Sequence, residues 1–440
     1  FGKRAGEYAV KFVKANGATK LDAAQVDKVI NDSLQPFERG SKGENPYKVQ
    51  QDLQDTMHNL VGIVRTESEM KEALVKIEAL TGDLGRRLGP PWINGESVIA
   101  MSFNRNKRGL AIDLKKPAAL AAVKQMAAKA DVIIESFRPG VISRLGFGYE
   151  DAKKVNPRVV YCSVSGFGQT GPYSKRPTVD GLIQAFSGMM VMNRMPDGTP
   201  WRQGMIAVDV TTGLYTFQAL STAIMRQFRF GEGCFIDSSL MRAAAAFQGA
   251  KLMEWVFSNG APPVLYMPAG SYKTKNGYIM VSAMRPHHFK LLFELIGRDD
   301  VANDPELQSH DARIKNAPKI IKALNETMPT KTTEEWISIL QPKDVFCERV
   351  NNYQDYLDHP HVKESGAIDW IEQEGVGRLP VANIAGLPRA AEHAPQQHAP
   401  HIGEDSRDIL GELGYGAADI DAILARGGVK GMKQSAKAAE

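Results

Sequence analysis

Between residues 109 and 164, short apolar runs alternate with segments of helical spacing. The apolar runs occupy 109–114, 131–135 and 159–164, and the segments of helical spacing occupy 117–130 and 149–155. Runs that are apolar on both faces are typical of strands in a parallel sheet with helices on both sides. The pattern therefore predicts βαβ units and an α/β fold. Apolar spacing further along the chain predicts helices over 211–229 and 239–257.

The regions that flank these βαβ units have a different texture. Residues 1–82 are polar with short stretches of helical spacing, and the last of these predicts a helix over 67–80. Residues 260–375 indicate a smaller mixed α+β domain, in which Asn276-Gly277 predicts the turn of a β-hairpin. From residue 387 onward the chain is rich in Pro, His and Ala.

The composition excludes several classes of protein. Lys and Arg total 54 and Asp and Glu total 50, a net charge of +4 that is too even for a nucleic-acid-binding protein. Three cysteines far apart in sequence exclude a disulfide scaffold and a CxxC zinc site, and they indicate a reducing, cytoplasmic location. The chain has no apolar run of about 18 residues, so we expect no membrane span. The histidines are scattered, and His287-His288 is interpreted as a surface pair rather than a metal site.

A glycine-rich segment, residues 166–171, follows the third predicted strand and matches GxGxxG. A dinucleotide site of this kind requires a helix to begin at the glycines, so that its N-terminus holds the pyrophosphate. The residues that follow, from Pro172 to Pro177, indicate a loop instead. A loop beside some other ligand is therefore favoured over a dinucleotide site.

Two aspartates lie in apolar surroundings. Asp180 lies among Val, Leu and Ile residues, and Asp209 comes just before the helix predicted over 211–229. Asp209 has two interpretations that the residue type alone leaves open. It could be the N-cap or an N-terminal dipole partner of that helix, or a desolvated carboxylate nucleophile held by backbone donors.

From about residue 89 onward the chain resembles the family III CoA-transferases, the group of formyl-CoA and carnitine CoA-transferases. The segments that carry the resemblance are 89–97, 103–115, 130–141, 144–149, 156–173, the surroundings of Asp209, 402–405 and 409–415. They follow the family's order over about four fifths of the chain. The resemblance implies a Rossmann-like large domain, a smaller mixed domain and an interlocked homodimer.

The resemblance also implies an activity, the exchange of CoA between an acyl-CoA and a carboxylic acid. CoA is then a substrate, and no permanently bound cofactor or metal is expected. The family's nucleophile matches Asp209, and Asp180 matches a second acidic residue near the reaction centre. The residues that match CoA contacts are Ile112, Lys115, Ser136, Phe137 and Arg144, with Gly270 in the loop that shields the intermediates.

An isomerase branch shares this fold, the α-methylacyl-CoA racemases, which pair the aspartate with a histidine for two-base proton exchange. Val179 occupies the position of that histidine. A racemase is therefore the less favoured alternative.

Residues 1–82 resemble a different family, the C-terminal helical region of succinate dehydrogenase and fumarate reductase flavoprotein subunits. They lack the parts that bind FAD, so we expect no FAD. Within them we find no counterpart of the first transferase strand, its glycine-alanine loop or the next strand ending in glutamate. We therefore expect impaired CoA binding, or a non-catalytic gene-fusion product. The predicted boundaries are 1–82 for this segment, 83–259 for the first part of the large domain, 260–375 for the small domain, and 376–440 for the return to the large domain and the tail.

Overall fold

The structure is a computed structural model that describes residues 75–79, 81–195, 197–260, 264–373, 376–386, 389 and 398–431. The chain divides into two units, Phe1–Glu72 and Ala73–Glu440, and every described residue belongs to the second. The helices predicted before residue 75 lie outside the described residues, as does most of the segment that resembles a flavoprotein subunit. None of the helices in the described ranges is long and apolar enough to cross a bilayer.

The first described part of the chain alternates strands and helices as predicted. Its elements are β1 Val75–Glu78, β2 Trp92–Ile93, β3 Glu96–Ser97, α1 Val98–Asn104, β4 Arg108–Ile112, α2 Pro117–Lys129, β5 Val132–Glu135, α3 Val141–Arg144, α4 Tyr149–Val155 and β6 Val160–Ser165. The helix predicted over 67–80 is wrong at its end, because Val75–Glu78 is a strand. Val-Lys-Ile-Glu alternates poorly, and the parallel neighbour that makes it a strand is distant in sequence.

The middle part is mainly helical. Its elements are α5 Asp180–Phe186, α6 Met189–Met192, α7 Ala207–Phe230, β7 Cys234–Ser239, α8 Leu240–Phe247 and α9 Gly249–Phe257. The single helix predicted over 239–257 is two helices that meet at Gln248, whose backbone leaves the helical region.

The last part contains a second group of strands and then returns to the first. Its elements are β8 Ala269–Lys273, β9 Tyr278–Ser282, α10 Pro286–Leu295, α11 Asp299–Ala302, α12 His310–Lys315, α13 Ala317–Thr327, α14 Thr333–Leu340, β10 Phe346–Arg349, α15 Tyr353–Asp358, α16 Pro360–Ser365, β11 Ile368–Gln373, β12 Gly377–Ala382, α17 Ser406–Glu412, α18 Ala417–Ala425 and β13 Val429–Lys430.

The predicted α/β architecture is confirmed. The described residues form three three-stranded sheets, and the strands of the βαβ region belong to two of them. Strands β5, β6 and β7 form a parallel sheet in the order β5-β6-β7. The other sheet has the order β1-β4-β13, with β1 parallel and β13 antiparallel to β4. Apolar side chains of β4, α2, α17 and α18 share one core, which includes Leu110, Ile409 and Ile420. Residues near the end of the chain therefore complete the sheet that β1 and β4 begin.

A network of buried charges closes the carboxyl end of β1. Glu78 is buried, and its carboxylate accepts two hydrogen bonds from the Arg86 guanidinium, at 2.8 and 2.7 Å. Arg86 also donates to the carbonyl oxygen of Pro400, at 2.7 Å. The expectation that no strand ending in glutamate precedes residue 83 is therefore wrong. This strand is present, and its glutamate ties it to the C-terminal part of the chain.

The second group of strands packs in a core of its own. Strands β8, β9 and β10 form an antiparallel sheet, and the core beside it includes Phe289, Phe293 and Trp336. The hairpin predicted at Asn276-Gly277 is confirmed, since β8 and β9 pair up to Lys273 and Tyr278 on either side of the turn.

Candidate active site

The N-terminus of α7 is the centre of the candidate site. The helix begins at Ala207, so Asp209 is its third residue and lies in the first turn. The N-cap position is occupied by Ile206, whose side chain has no hydrogen-bonding group. The interpretation of Asp209 as the N-cap is therefore wrong, whereas its place in the first turn agrees with the other interpretation, a partner of the helix dipole. Its carboxylate is free of the capping task.

Asp180 caps this helix from a neighbouring element. One oxygen of its carboxylate, Oδ2, accepts the backbone N–H of Val208 at 2.7 Å and that of Asp209 at 3.1 Å. These N–H groups are among the four that a helix leaves without intrahelical partners, and a negative charge there is favoured by the helix dipole. Asp180 is only 5% exposed. The two predicted catalytic aspartates are thus brought together, with one holding the backbone of the other.

Gln184, which was not among the residues predicted from the sequence, completes the arrangement. It lies one turn after Asp180 on α5 and is fully buried. Its Nε2 donates to Asp180 Oδ1 at 2.6 Å, and its Oε1 accepts the backbone N–H of Gln203 at 2.8 Å. The spacing of four between a buried acid and an amide in an apolar helix was the available signal.

The surroundings of Asp209 perturb its acidity. The residue is exposed by surface area, yet enough protein surrounds the carboxylate that burial raises its pKa above the ordinary value of 3.8. The negative charge of Asp180 raises the pKa further. The helix N-terminus acts in the opposite sense. A reachable carboxylate of raised basicity is suited to nucleophilic attack.

The glycine-rich segment 166–171 does not open a helix. Strand β6 ends at Ser165, and the next helix, α5, begins only at Asp180. Instead the loop is held in place by polar contacts: the N–H of Gly168 donates to Ser165 Oγ at 3.1 Å. The structural requirement for a dinucleotide site is therefore not met at these residues.

The histidine pair is only partly a surface pair. His287 is exposed, but the His288 side chain is fully buried and its ring packs on Phe346, with 4.9 Å between ring centroids. His288 is therefore a core residue, contrary to the prediction. Within the described ranges, no three His, Cys, Asp or Glu side chains come together as metal ligands would.

A family model, CoA-transferase family III, matches residues 73–406. The chain belongs to this family. The match begins before the boundary that was predicted at residue 83, and it includes β1.

Similar proteins agree with this assignment. The chain is 30% identical over 366 residues to the succinyl-CoA:glutarate CoA-transferase of Mus musculus, covering 80% of this chain and 83% of the other. It is 34% identical over 271 residues to the acetyl-CoA:oxalate CoA-transferase of Acetobacter aceti, covering 60% of this chain and 69% of the other. The crystal structure of a CAIB/BAIF family protein from Brucella suis matches with a TM-score of 0.69 at 28% identity, covering 77% of this chain and 91% of that one. The protein is a family III CoA-transferase.

The residues predicted to contact CoA fall in two groups. Lys115, Ser136, Phe137 and Arg144 are exposed; Lys115 follows β4, Ser136 and Phe137 follow β5, and Arg144 ends α3. Ile112, by contrast, is 2% exposed and belongs to the core beside β4, so that a contact with CoA would have to use its backbone.

Gly270 lies apart from both groups, in β8. It pairs with Val281 there. The structure thus places Gly270, the residue predicted for the shielding loop, in a regular strand of the antiparallel sheet formed by β8, β9 and β10.

Proposed function

We propose that this family III CoA-transferase moves CoA from an acyl-CoA to a carboxylic acid through covalent intermediates on Asp209. The observation that carries the proposal is the geometry of the α7 N-terminus. Asp209 is reachable, its pKa is raised, and its backbone is fixed by a buried carboxylate from another helix. A nucleophile held in this way reacts without further ordering of the chain.

The proposed reaction has two symmetrical halves. A carboxylate oxygen of Asp209 attacks the thioester carbonyl, the C–S bond breaks, and CoA thiolate leaves an aspartyl-acyl anhydride. The thiolate then attacks the aspartyl carbonyl and releases the donor acid, which leaves Asp209 as a CoA thioester. The acceptor carboxylate attacks this thioester and displaces the thiolate, which attacks the acceptor carbonyl. The products are a new acyl-CoA and the regenerated Asp209 carboxylate.

Asp180 acts in this proposal through Asp209 rather than on the substrate. Its two oxygens already accept three hydrogen bonds, from Val208, Asp209 and Gln184. Its charge also contributes to the raised pKa of the nucleophile. We therefore assign Asp180 as a positioning residue, which replaces the catalytic role that the sequence analysis expected.

CoA is proposed to approach along the ends of β4 and β5. The cations of Lys115 and Arg144 are exposed there and suit the phosphates, and Phe137, 40% exposed, suits the adenine or the pantetheine chain. Short dicarboxylic acids are the proposed acyl groups, since relatives named above act on succinate, glutarate or oxalate. The free state of all three cysteines supports the proposed cytoplasmic location.

A homodimer is also proposed. Helix α7 buries one face and exposes a second, on which Val210, Leu214 and Phe217 recur at helical spacing. Helix α9 has no buried residue and exposes Phe257 by 83%. Apolar surface of this extent is typical of a protein–protein interface. Light scattering should give the mass of two chains, and Phe257→Glu should shift the mass toward one; a wild-type monomer would contradict the dimer.

The central test follows the covalent intermediate. The protein is incubated with succinyl-CoA, quenched with hydroxylamine and digested, and the peptides are weighed. We expect a hydroxamate on Asp209 that is absent in Asp209→Ala and present in Asp197→Ala, a control at an exposed aspartate. When the acceptor acid carries ¹⁸O in both carboxylate oxygens, one ¹⁸O should end on Asp209 after turnover. No adduct with succinyl-CoA, acetyl-CoA or oxalyl-CoA, in folded protein, would refute the mechanism.

The same protein preparation distinguishes CoA transfer from the two alternatives, an acyl-CoA isomerase and a non-catalytic product. Exchange of the α-proton of an acyl-CoA for deuterium without any acceptor acid would indicate an isomerase. Val179, at the N-cap of α5, carries no group that exchanges a proton, and we expect no such exchange. Folded protein with neither transfer nor exchange would indicate a non-catalytic product.

A further inference from the structure

The carboxyl end of the parallel sheet carries a row of polar residues. Glu135 on β5, Ser163 on β6 and Asp237 on β7 are register partners. Side chains alternate along a strand, and Val160 and Cys162 of β6 belong to the core shared with α7. The row therefore lies on the face of the sheet opposite α7. Ligands of open parallel sheets bind in the crevice beyond this end of the strands, so groups placed here can serve a ligand.

Glu135 connects this row to the loop that follows β5. Its Oε1 accepts a hydrogen bond from the Ser163 hydroxyl, and Ser163 is only 4% exposed. Its Oε2 accepts the backbone N–H of Phe137 at 2.8 Å. Hydrogen bonds to a carboxylate are stronger than those between neutral groups. The carboxylate is thus anchored in the sheet through one oxygen and holds the loop through the other.

The loop depends on this contact because its own side chains do not bury it. Ser136, Phe137 and Arg138 are all exposed, Phe137 by 40%. Backbone that is not held keeps its conformational freedom, and that freedom is lost only at a cost. The hydrogen bond to Glu135 therefore restricts the backbone at Phe137, the aromatic residue that is proposed to meet CoA.

The nucleophile lies toward the same end of the sheet, because α7 runs opposite to the strands. Near the end of α7, Gln227 donates at 2.7 Å to the carbonyl oxygen of Arg158, which precedes β6. Earlier in the helix, Thr216 Oγ1 lies 2.7 Å from Ser238 Oγ, near the end of β7. Asp209 precedes Thr216 by about two turns. A CoA thioester attacked at Asp209 would therefore extend along the edge that carries the loop after β5.

Resting on the proposed function, in which CoA lies along this edge, we propose that Glu135 is a positioning residue for CoA. It fixes the backbone of Phe137 through a carboxylate that is anchored on Ser163. Phe137 then meets CoA in one conformation, and less conformational entropy is lost when CoA binds. Since Glu135 acts through the CoA loop, its loss should weaken CoA and acyl-CoA and leave the affinity for the acceptor acid unchanged.

Two substitutions of Glu135 separate its contacts from its charge. Glu135→Ala removes both hydrogen bonds. In Glu135→Gln the amide oxygen can still accept the N–H of Phe137, and the amide nitrogen can donate to Ser163 Oγ, because a hydroxyl both donates and accepts. The matched control is Asp197→Ala, since Asp197 accepts the N–H of Thr199, two residues on, at 2.9 Å in an exposed turn.

Calorimetric titration with CoA compares these variants after thermal unfolding has shown that each is folded. The dissociation constant for CoA should rise about five- to twentyfold in Glu135→Ala and stay within about twofold of wild type in Glu135→Gln and Asp197→Ala. KM for succinyl-CoA should rise with it, while KM for free glutarate stays unchanged. Ser163→Ala, which removes only the anchor, should show a smaller loss in the same direction. An equal loss in Glu135→Gln and Glu135→Ala, or an equal rise of both KM values, would overturn the proposal.

The variant Phe137→Ala separates this inference from the proposed function. If Glu135 acts through Phe137, Glu135→Ala should add little to the loss of CoA affinity in Phe137→Ala. A full additional loss would overturn the inference. If Phe137→Ala weakens CoA and Glu135→Ala does not, the proposed approach of CoA stands and the inference alone fails. If Phe137→Ala binds CoA as the wild type does, both fail. Titration needs no turnover, so none of these outcomes depends on transfer through Asp209.

Discussion

Replacement of Asp180 by Asn probes the support of the nucleophile with almost no change of volume. In the native protein one carboxylate serves three donors, the N–H groups of Val208 and Asp209 and the side-chain amide of Gln184. An asparagine at 180 has a single acceptor oxygen. If that oxygen faces the helix, the new amide meets the amide of Gln184. If Gln184 then turns over, it loses its hydrogen bond from the N–H of Gln203.

The magnitude follows from the hydrogen bonds that are lost. Asn in place of Asp180 leaves one buried donor unsatisfied, at about 1–3 kcal/mol, because Asp180 is 5% exposed and Gln184 is fully buried. Asp180→Ala also removes the cap of α7, which adds about 0.5–2 kcal/mol. We therefore expect the free energy of unfolding to fall by about 1–3 kcal/mol in the first variant and by about 1.5–5 kcal/mol in the second.

Urea denaturation of the wild type and both variants measures these losses. Asp311→Asn is the control, since Asp311 is exposed in the first turn of α12, and it should change stability by no more than about 0.5 kcal/mol. Activity adds a second readout. Without urea, and at a temperature at which Asp180→Asn stays folded, kcat should fall by a larger factor than KM rises. The acid limb of its pH profile should also move to lower pH, since one charge that raises the pKa of Asp209 is gone.

Two outcomes would refute this assignment. If Asp180→Asn unfolds at the same urea concentration as the wild type, the hydrogen bonds do not support α7. If it is stable but the acid limb keeps its position, the charge of Asp180 does not act on the nucleophile.

Three other predictions concern separate parts of the molecule. The raised pKa of Asp209 means that the folded state binds its proton more tightly than the unfolded state, so stability falls as pH rises above 3.8, and Asp209→Asn should raise the melting temperature at pH 7 while abolishing transfer. Arg86→Met should cost about 1–3 kcal/mol at pH 7 in urea denaturation, because it removes two hydrogen bonds from the buried Glu78 carboxylate and leaves Lys76 as its remaining ion-pair partner. Burial alone would raise the pKa of Glu78, but Arg86 and Lys76 lower it overall. The difference in unfolding free energy between wild type and Arg86→Met should therefore shrink as pH falls below 4.5 and Glu78 becomes protonated. Gly403→Ala should cost about 2–5 kcal/mol by the same assay, because φ is +73° and a Cβ would overlap the Lys430 carbonyl oxygen.

Each of these has a control and a contradicting result. For Asp209, an unchanged or lower melting temperature of Asp209→Asn would show that the charged carboxylate does not destabilise the folded state. For Arg86, the control is Arg407→Met, whose ion pair with Asp421 is exposed and worth about 0–1 kcal/mol; equal losses would contradict the reasoning. For Gly403, the control is Gly414→Ala, where φ is +94° but no atom lies near, so the loss should be about 1–2 kcal/mol.

Local pattern was sufficient for much of the fold. The helix predicted over 149–155 is α4, and the runs over 109–114, 131–135 and 159–164 contain β4, β5 and β6. These elements carry their signals within a few residues, as apolar period and turn chemistry. The hairpin at Asn276-Gly277 is another case, because its two-residue turn has few alternatives.

The errors share a physical cause, which is partnership over long distances in sequence. Strand β1 was predicted as helix because Val75–Glu78 becomes a strand only beside Arg108–Ile112. His288 was placed at the surface because nothing in its neighbours in sequence shows that Phe346 covers it. Local propensity is a weak prior wherever a tertiary contact outweighs it.

The candidate site shows the same division. The sequence alone singled out two carboxylates as candidates, since charged groups in apolar surroundings are rare without a role, and the resemblance to a family supplied an expected task for each. Only the tertiary structure decided between them. Asp180 gives both oxygens to buried donors, while Asp209 keeps its carboxylate reachable at the start of α7. Hydrogen-bond partners come from elements far apart in the chain, and their positions exist only once the chain has folded.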